Sequence, residues 1–145
     1  MRTLHIGLRV TDRARSLAFY EAIGYEVVGC VPETPIGHLT MLKLPGDEFV
    51  TVELVHDAEP VVRGTDVSHF VIQVESMADT LRLLAARGIE PVGPGQDSAD
   101  GLKTAFVADP DGRRIELVQW PPGHADGMTA ADWADSSAGK DDSDG

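Results

Sequence analysis

The chain has 145 residues, 42% of them hydrophobic, and carries a net charge of −12 from 24 acidic and 12 basic side chains. That length holds one ordinary domain with a substantial core, and the acidic balance excludes a surface that tracks nucleic-acid phosphates or an anionic membrane. The single cysteine, Cys30, excludes an intrachain disulfide and reads as a small core residue. Residues 1–10 carry Arg9 where a signal peptide needs an apolar run, and no stretch is long enough to span a bilayer, so a cytoplasmic protein is expected.

In chain order, residues 4–10 alternate as a strand. Residues 12–23 read as a helix with Asp12 as N-cap, Gly24 just past its end, and an apolar face of Leu17, Phe19, Tyr20 and Ile23. Strands follow at 25–31, 38–44 and 49–55, separated by turns at 32–37 and at Pro45-Gly46-Asp47. The order then restarts: a strand at 67–74, a helix at 77–87 stopped by Gly88, a short strand near Ile89, a loop at 94–101, and strands at 102–108 and 114–120. Asp109-Pro110-Asp111-Gly112 joins the last two as a hairpin turn.

Sliding the second half back onto the first checks the restart residue by residue. His5 falls on His69, Val10 on Val74, Leu17 on Leu81, Gly24 on Gly88 and Glu26 on Glu90. After a slip of one residue, Val52-Glu53-Leu54-Val55 falls on Ile115-Glu116-Leu117-Val118. The expected fold is therefore α+β, two tandem βαβββ modules at 1–57 and 66–120 joined by a connector at 58–65, with an acidic, flexible tail at 121–145.

A His opens each copy and a Glu closes it. An acid in the middle of an apolar strand is costly unless a cation, a hydrogen bond or water meets it. A lone strand His is ordinarily a hydrogen-bonded core imidazole, but two His and two Glu at matched places in a duplication read as metal ligands: His5, Glu53, His69 and Glu116. Related by a pseudo-two-fold axis, the copies would bring these groups to one point. Such a set suits one divalent ion, with Zn²⁺, Ni²⁺, Co²⁺, Mn²⁺ and Fe²⁺ all admissible and room left for a substrate oxygen. His38 and His124 lack a repeat partner and read as solvated; His56 lies on the face opposite Glu53.

The motifs Leu4-His5 with Leu8-Arg9-Val10, then Ser16, Phe19-Tyr20 and Gly24, run on through Glu53-Leu54-Val55-His56 and Gly64-Thr65 ahead of His69. With Ala105-Phe106-Val107, the Asp109-Pro110-Asp111-Gly112 turn and Ile115-Glu116-Leu117, they cover residues 2 to about 120. The chain resembles the vicinal oxygen chelate (glyoxalase/bleomycin resistance/dioxygenase) superfamily, and within it glyoxalase I (lactoylglutathione lyase). The resemblance implies a cup-shaped mixed barrel built by the two modules around the metal. It also implies a homodimer in which His5 and Glu53 of one subunit meet His69 and Glu116 of the other, with nickel or cobalt favoured over zinc. The implied substrate is the hemithioacetal of a 2-oxoaldehyde and a thiol, isomerised to a 2-hydroxyacyl thioester through an enediolate. Glu116 is the first choice for the base and Glu53 its partner.

Arg9 resembles the family arginine that receives a substrate carboxylate. Where the family commonly has Asn, four residues after Glu53, this chain has Asp57; Ser68 replaces the Gly usual before the second His, and Lys103 is the candidate for a further carboxylate. These departures leave the thiol open between glutathione and one with a sugar or amine in place of the glutamyl carboxylate. The other readings are a superfamily epimerase or dioxygenase using a related metal site, and a non-catalytic drug-binding protein of the bleomycin-resistance type.

Overall fold

The computed structural model describes residues 1–57 and 67–133; the expected connector at 58–65, with Gly64 and Thr65, and the acidic run at 141–144 lie outside the described residues. The elements are β1 (Ile6–Arg9), α1 (Arg13–Ile23), β2 (Glu26–Val31), β3 (His38–Lys43), β4 (Val52–His56), β5 (His69–Gln73), α2 (Met77–Ala86), β6 (Gln96–Asp97), β7 (Lys103–Ala108) and β8 (Arg114–Gln119), followed by a 3₁₀ turn at Ala130–Trp133. They build two four-stranded sheets in the orders β1-β4-β3-β2 and β5-β8-β7-β6. Each sheet is mixed: β1 runs parallel to β4 and β5 parallel to β8, while the remaining pairs are antiparallel. The βαβββ order of both halves and the α+β class stand as expected. No helix among the described residues is long and apolar enough to cross a membrane.

Local chemistry explains the helix ends. The Asp12 carboxylate accepts from the Arg15 amide, and Gly24, at φ 128°, returns its N–H to the Tyr20 and Glu21 carbonyls. Ser76 caps α2 through the Asp79 amide, and the Gln119 side chain accepts from the Met77 amide, tying the helix start to β8.

Three local expectations need correction. No strand forms at Ile89: Pro91 and Pro94 remove two ladder donors, and Val92 makes a single bond to the Phe106 carbonyl. The short fourth strand is instead Gln96–Asp97, admitted by Gly95, where a Cβ would lie 2.4 Å from the Thr104 carbonyl oxygen. Cys30 is exposed, because β2 is the outer strand of its sheet.

One core joins the two halves. Leu8, Leu42 and Leu54 from the first sheet pack with Ile72, Ile115 and Leu117 from the second, beneath Tyr20 of α1 and Leu84 of α2. Tyr20 is fully buried, stacks on Phe70 at 6.3 Å between centroids, and meets Phe19 and Tyr25 edge-on. Its hydroxyl donates to Asp109 Oδ2 at 2.7 Å; burial first, then the Asp109 charge, push its pKa above the ordinary phenolic value.

Asp109 anchors a buried polar knot across the junction. Its Oδ1 accepts the Asp111 and Arg113 amides, and its Oδ2 lies 3.1 Å from Arg113 Nη1. Arg113 also donates to the Arg9 carbonyl, and Asp111 receives weaker bonds from the Thr11 amide and the Ser16 hydroxyl. The turn between β7 and β8 thereby grips the exit of β1 and the start of α1.

Candidate functional site

The two halves present the same pair in the same register. In the parallel ladder of the first sheet Gly7 lies beside Glu53, and in the second Val71 lies beside Glu116. His5 and His69 each stand two residues before the residue beside the acid, so each imidazole shares the acid's face of the sheet. His5 Nε2 lies 3.4 Å from Glu53 Oε2, and His69 Nε2 lies 3.6 Å from Glu116 Oε2. Both pairs are open to solvent at the imidazole, 39% and 44% exposed, with the carboxylates more sheltered at 13% and 21%.

The four groups do not meet within one chain. Among the described residues no group of three or more His, Cys, Asp or Glu side chains is gathered to hold a metal ion. The expected convergence at one point is therefore not built by a single copy among the described residues; each chain carries two His–Glu pairs on separate sheets. The donor chemistry of the halves still fits a divalent ion, since each offers one neutral-capable nitrogen and one carboxylate on an open face.

Around each pair the neighbours differ. Gly7 leaves room beside Glu53: a Cβ there would sit 4.0 Å from Glu53 Oε1 and 3.5 Å from Val55. Two residues further along β1, Arg9 lies on the same face and forms an ion pair with Asp57. On the second sheet, Ser68 Oγ lies 3.1 Å from His69 Nδ1, which leaves Nε2 directed at Glu116. Phe106, paired in register with Glu116, meets the His69 ring edge-on at 6.4 Å, and the Arg114 guanidinium lies over the Phe106 ring, 5.7 Å from its centroid.

Lys103 is not brought to this face. It pairs with Gln119 on β8, out of phase with Glu116, and its ammonium lies 3.7 Å from Asp97. His124 is not simply solvated either: its ring stacks on Trp120 at 4.4 Å, and Nε2 bonds Asp132 of the terminal 3₁₀ turn. Residues 121–133 are thus partly docked, with Gln73 of β5 donating to Asp126 at 3.2 Å. His38 accepts from Arg13 at 2.7 Å. Phe106 went unnoticed in the sequence as a site residue, although its place opposite Glu116 follows from counting back across the hairpin turn.

Paired βαβββ halves, each with a His–Glu couple on its open face, define a class of folds built by duplication. Residues 2–117 match the Glyoxalase/Bleomycin resistance protein/Dioxygenase superfamily, and the chain belongs to it. It is 32% identical over 132 residues to a probable lactoylglutathione lyase of Vibrio cholerae, covering 86% of this chain and 94% of that one. It is 30% identical over 127 residues to a probable chloroplastic lactoylglutathione lyase of Arabidopsis thaliana, covering 83% of this chain but only 36% of the plant protein. Among solved structures, the glyoxalase I of Leishmania major, described as trypanothione-dependent, superposes with a TM-score of 0.65 at 27% identity, covering 82% of this chain and 86% of that one.

Proposed function

We propose that two copies of this chain form a glyoxalase I-type isomerase, in which His5 and Glu53 of one subunit face His69 and Glu116 of the partner subunit. The observation that carries this reading is the repeated His–Glu pair, at 3.4 and 3.6 Å and in identical ladder register. Relatives named lactoylglutathione lyase, matched over nearly their whole length, support the activity class.

Two half-sites of one nitrogen and one carboxylate each complete a four-donor set only when two chains come together. The exposed apolar side chains of the edge strands, Ile6 of β1 and Val71 of β5, support such a contact. Together the four residues would hold a divalent ion, with nickel, cobalt or zinc as the candidates. When bound, that ion would polarise the oxygens of the hemithioacetal and make the adjacent C–H acidic. The side chains then do the proton work. Glu116 Oε accepts the proton from the carbon bearing sulfur, and that proton is returned to the neighbouring carbon by way of Glu53. The substrate's hydroxyl proton passes to the other oxygen, so that the hemithioacetal becomes a 2-hydroxyacyl thioester and both carboxylates end as they began. Ser68 steadies the His69 ring during the exchange.

The test is turnover. Protein loaded with Ni²⁺, Co²⁺ or Zn²⁺ is mixed with methylglyoxal and a set of low-molecular-weight thiols, and thioester formation is followed by absorbance. Thioester that appears with metal and disappears on chelation is the expected result. Absence of thioester with every thiol, from protein shown to hold metal, would overturn the reading.

A further inference from the structure

We infer that the Arg9–Asp57 ion pair makes this site select a thiol whose distal head carries hydrogen-bond donors or positive charge and no carboxylate. The inference rests on the isomerase reading above, because it assigns the cosubstrate of that same site. His5, Gly7 and Arg9 share one face of β1, and Glu53, Val55 and Asp57 share the adjoining face of β4. Arg9 stands level with Val55, about 7 Å beyond Glu53 along the ladder. Between the acid and the ion pair the floor is formed by Gly7, which has no side chain, and Val55, which is 7% exposed. A substrate whose reacting carbons sit at the His–Glu pair would run its thiol body over that floor and bring its far end to Arg9 and Asp57.

The charge at that end decides what fits. A guanidinium alone would hold an incoming carboxylate bidentately. Here the Asp57 carboxylate already pairs with Arg9 Nη1, and its side chain is only 19% exposed. An anionic head must displace Asp57 or sit beside it as a like charge. A hydroxyl, amide or ammonium group instead donates to Asp57 without breaking the pair. The second cation offered for a substrate carboxylate, Lys103, lies on the other face beside Asp97. The net charge of −12 adds a long-range repulsion of the same sign.

The experiment compares S-hexylglutathione, which carries two carboxylates, with its diethyl ester, which keeps the skeleton and the amine. Binding to Ni²⁺-loaded protein is measured by calorimetry, so the readout does not depend on turnover. The diester is expected to bind more tightly by roughly tenfold or more, the size of one charge-assisted hydrogen bond gained or lost. Asp57→Asn is expected to bring the ratio back toward the diacid. A wild-type protein that prefers the diacid, or binds both within about twofold, overturns the inference, and so does an unchanged ratio in D57N. Should D57N fail to fold, the wild-type comparison alone decides. Binding preference without turnover of any hemithioacetal would defeat only the isomerase reading; failure of both conjugates to bind would defeat both.

Discussion

The assembly reading makes a prediction that depends on which residues share a half. His5→Ala/Glu53→Ala removes both donors of the first sheet, and His69→Ala/Glu116→Ala removes both donors of the second. Each doubly substituted homodimer then has every site reduced to two donors, and neither should turn over hemithioacetal. Co-expressed in equal amounts, random assortment places about half of the dimers in the mixed form, and symmetry gives each mixed dimer one intact and one empty site. The mixture should therefore show about a quarter of wild-type activity, with about one metal ion for every four chains. The assay is thioester formation together with metal content, after native mass spectrometry has established the mixed species. Mixed dimers with no recovered activity would refute shared sites, since a site built wholly within one chain stays broken in both variants. The pairings within each half, 3.4 and 3.6 Å, are what make this division of ligands the informative one.

Other perturbations test the scaffold. Arg113→Met should lower unfolding free energy by about 3–5 kcal/mol, because it strands the buried Asp109 and Asp111 carboxylates; urea denaturation measures it. Tyr20→Phe should lose about 1–3 kcal/mol by removing one donor from Asp109 without emptying the ring's place in the core. Gly95→Ala should destabilise by about 1–3 kcal/mol, since the new Cβ meets the Thr104 carbonyl backbone rather than a side chain that can move. The docked end should respond to pH. The Ala125 carbonyl and then Asp132 raise the His124 pKa, so its contribution is present below the ordinary imidazole value and lost as pH rises through the raised one. Asp132 is held low by the Thr129 amide and then His124, so its contribution is lost as pH falls through that lowered value. Imidazole proton shifts in NMR should give a His124 midpoint above about 6.5, and a midpoint at or below it would refute the His124–Asp132 contact.

The sheets and helices were legible because alternation and capping are local. Asp12, Gly24 and Ser76 act within a few residues, and period-two patterning marks which side of β4 and β8 is buried. What escaped was tertiary or polar. Gln96–Asp97 is a two-residue exposed strand with no hydrophobic signal, and its place follows from pairing with β7. Asp109 and Asp111 read only as part of a hairpin turn, yet they and Arg113 are each 4% exposed, held against β1 and α1 through Arg9, Thr11 and Ser16. Lys103 could have been placed correctly: counting outward from the turn pairs Ala108 with Arg114, which puts Phe106, not Lys103, in phase with Glu116.

The way the halves are joined bears on where the chemistry can occur. Tyr20, Phe70 and the Asp109–Arg113 knot lock the two sheets through their helix-bearing faces. Each sheet's other face, with its His–Glu pair, is thereby left outside the shared core, and among the described residues the edge strands β1 and β5 have no neighbouring strand on one side. Within one chain, the two His–Glu pairs are not gathered at one point among the described residues. In the proposed dimer, a two-fold axis sets the first sheet of one copy opposite the second sheet of the other and leaves the junctions intact. The duplication supplies two matching His–Glu pairs, and the proposed dimer brings them together between chains.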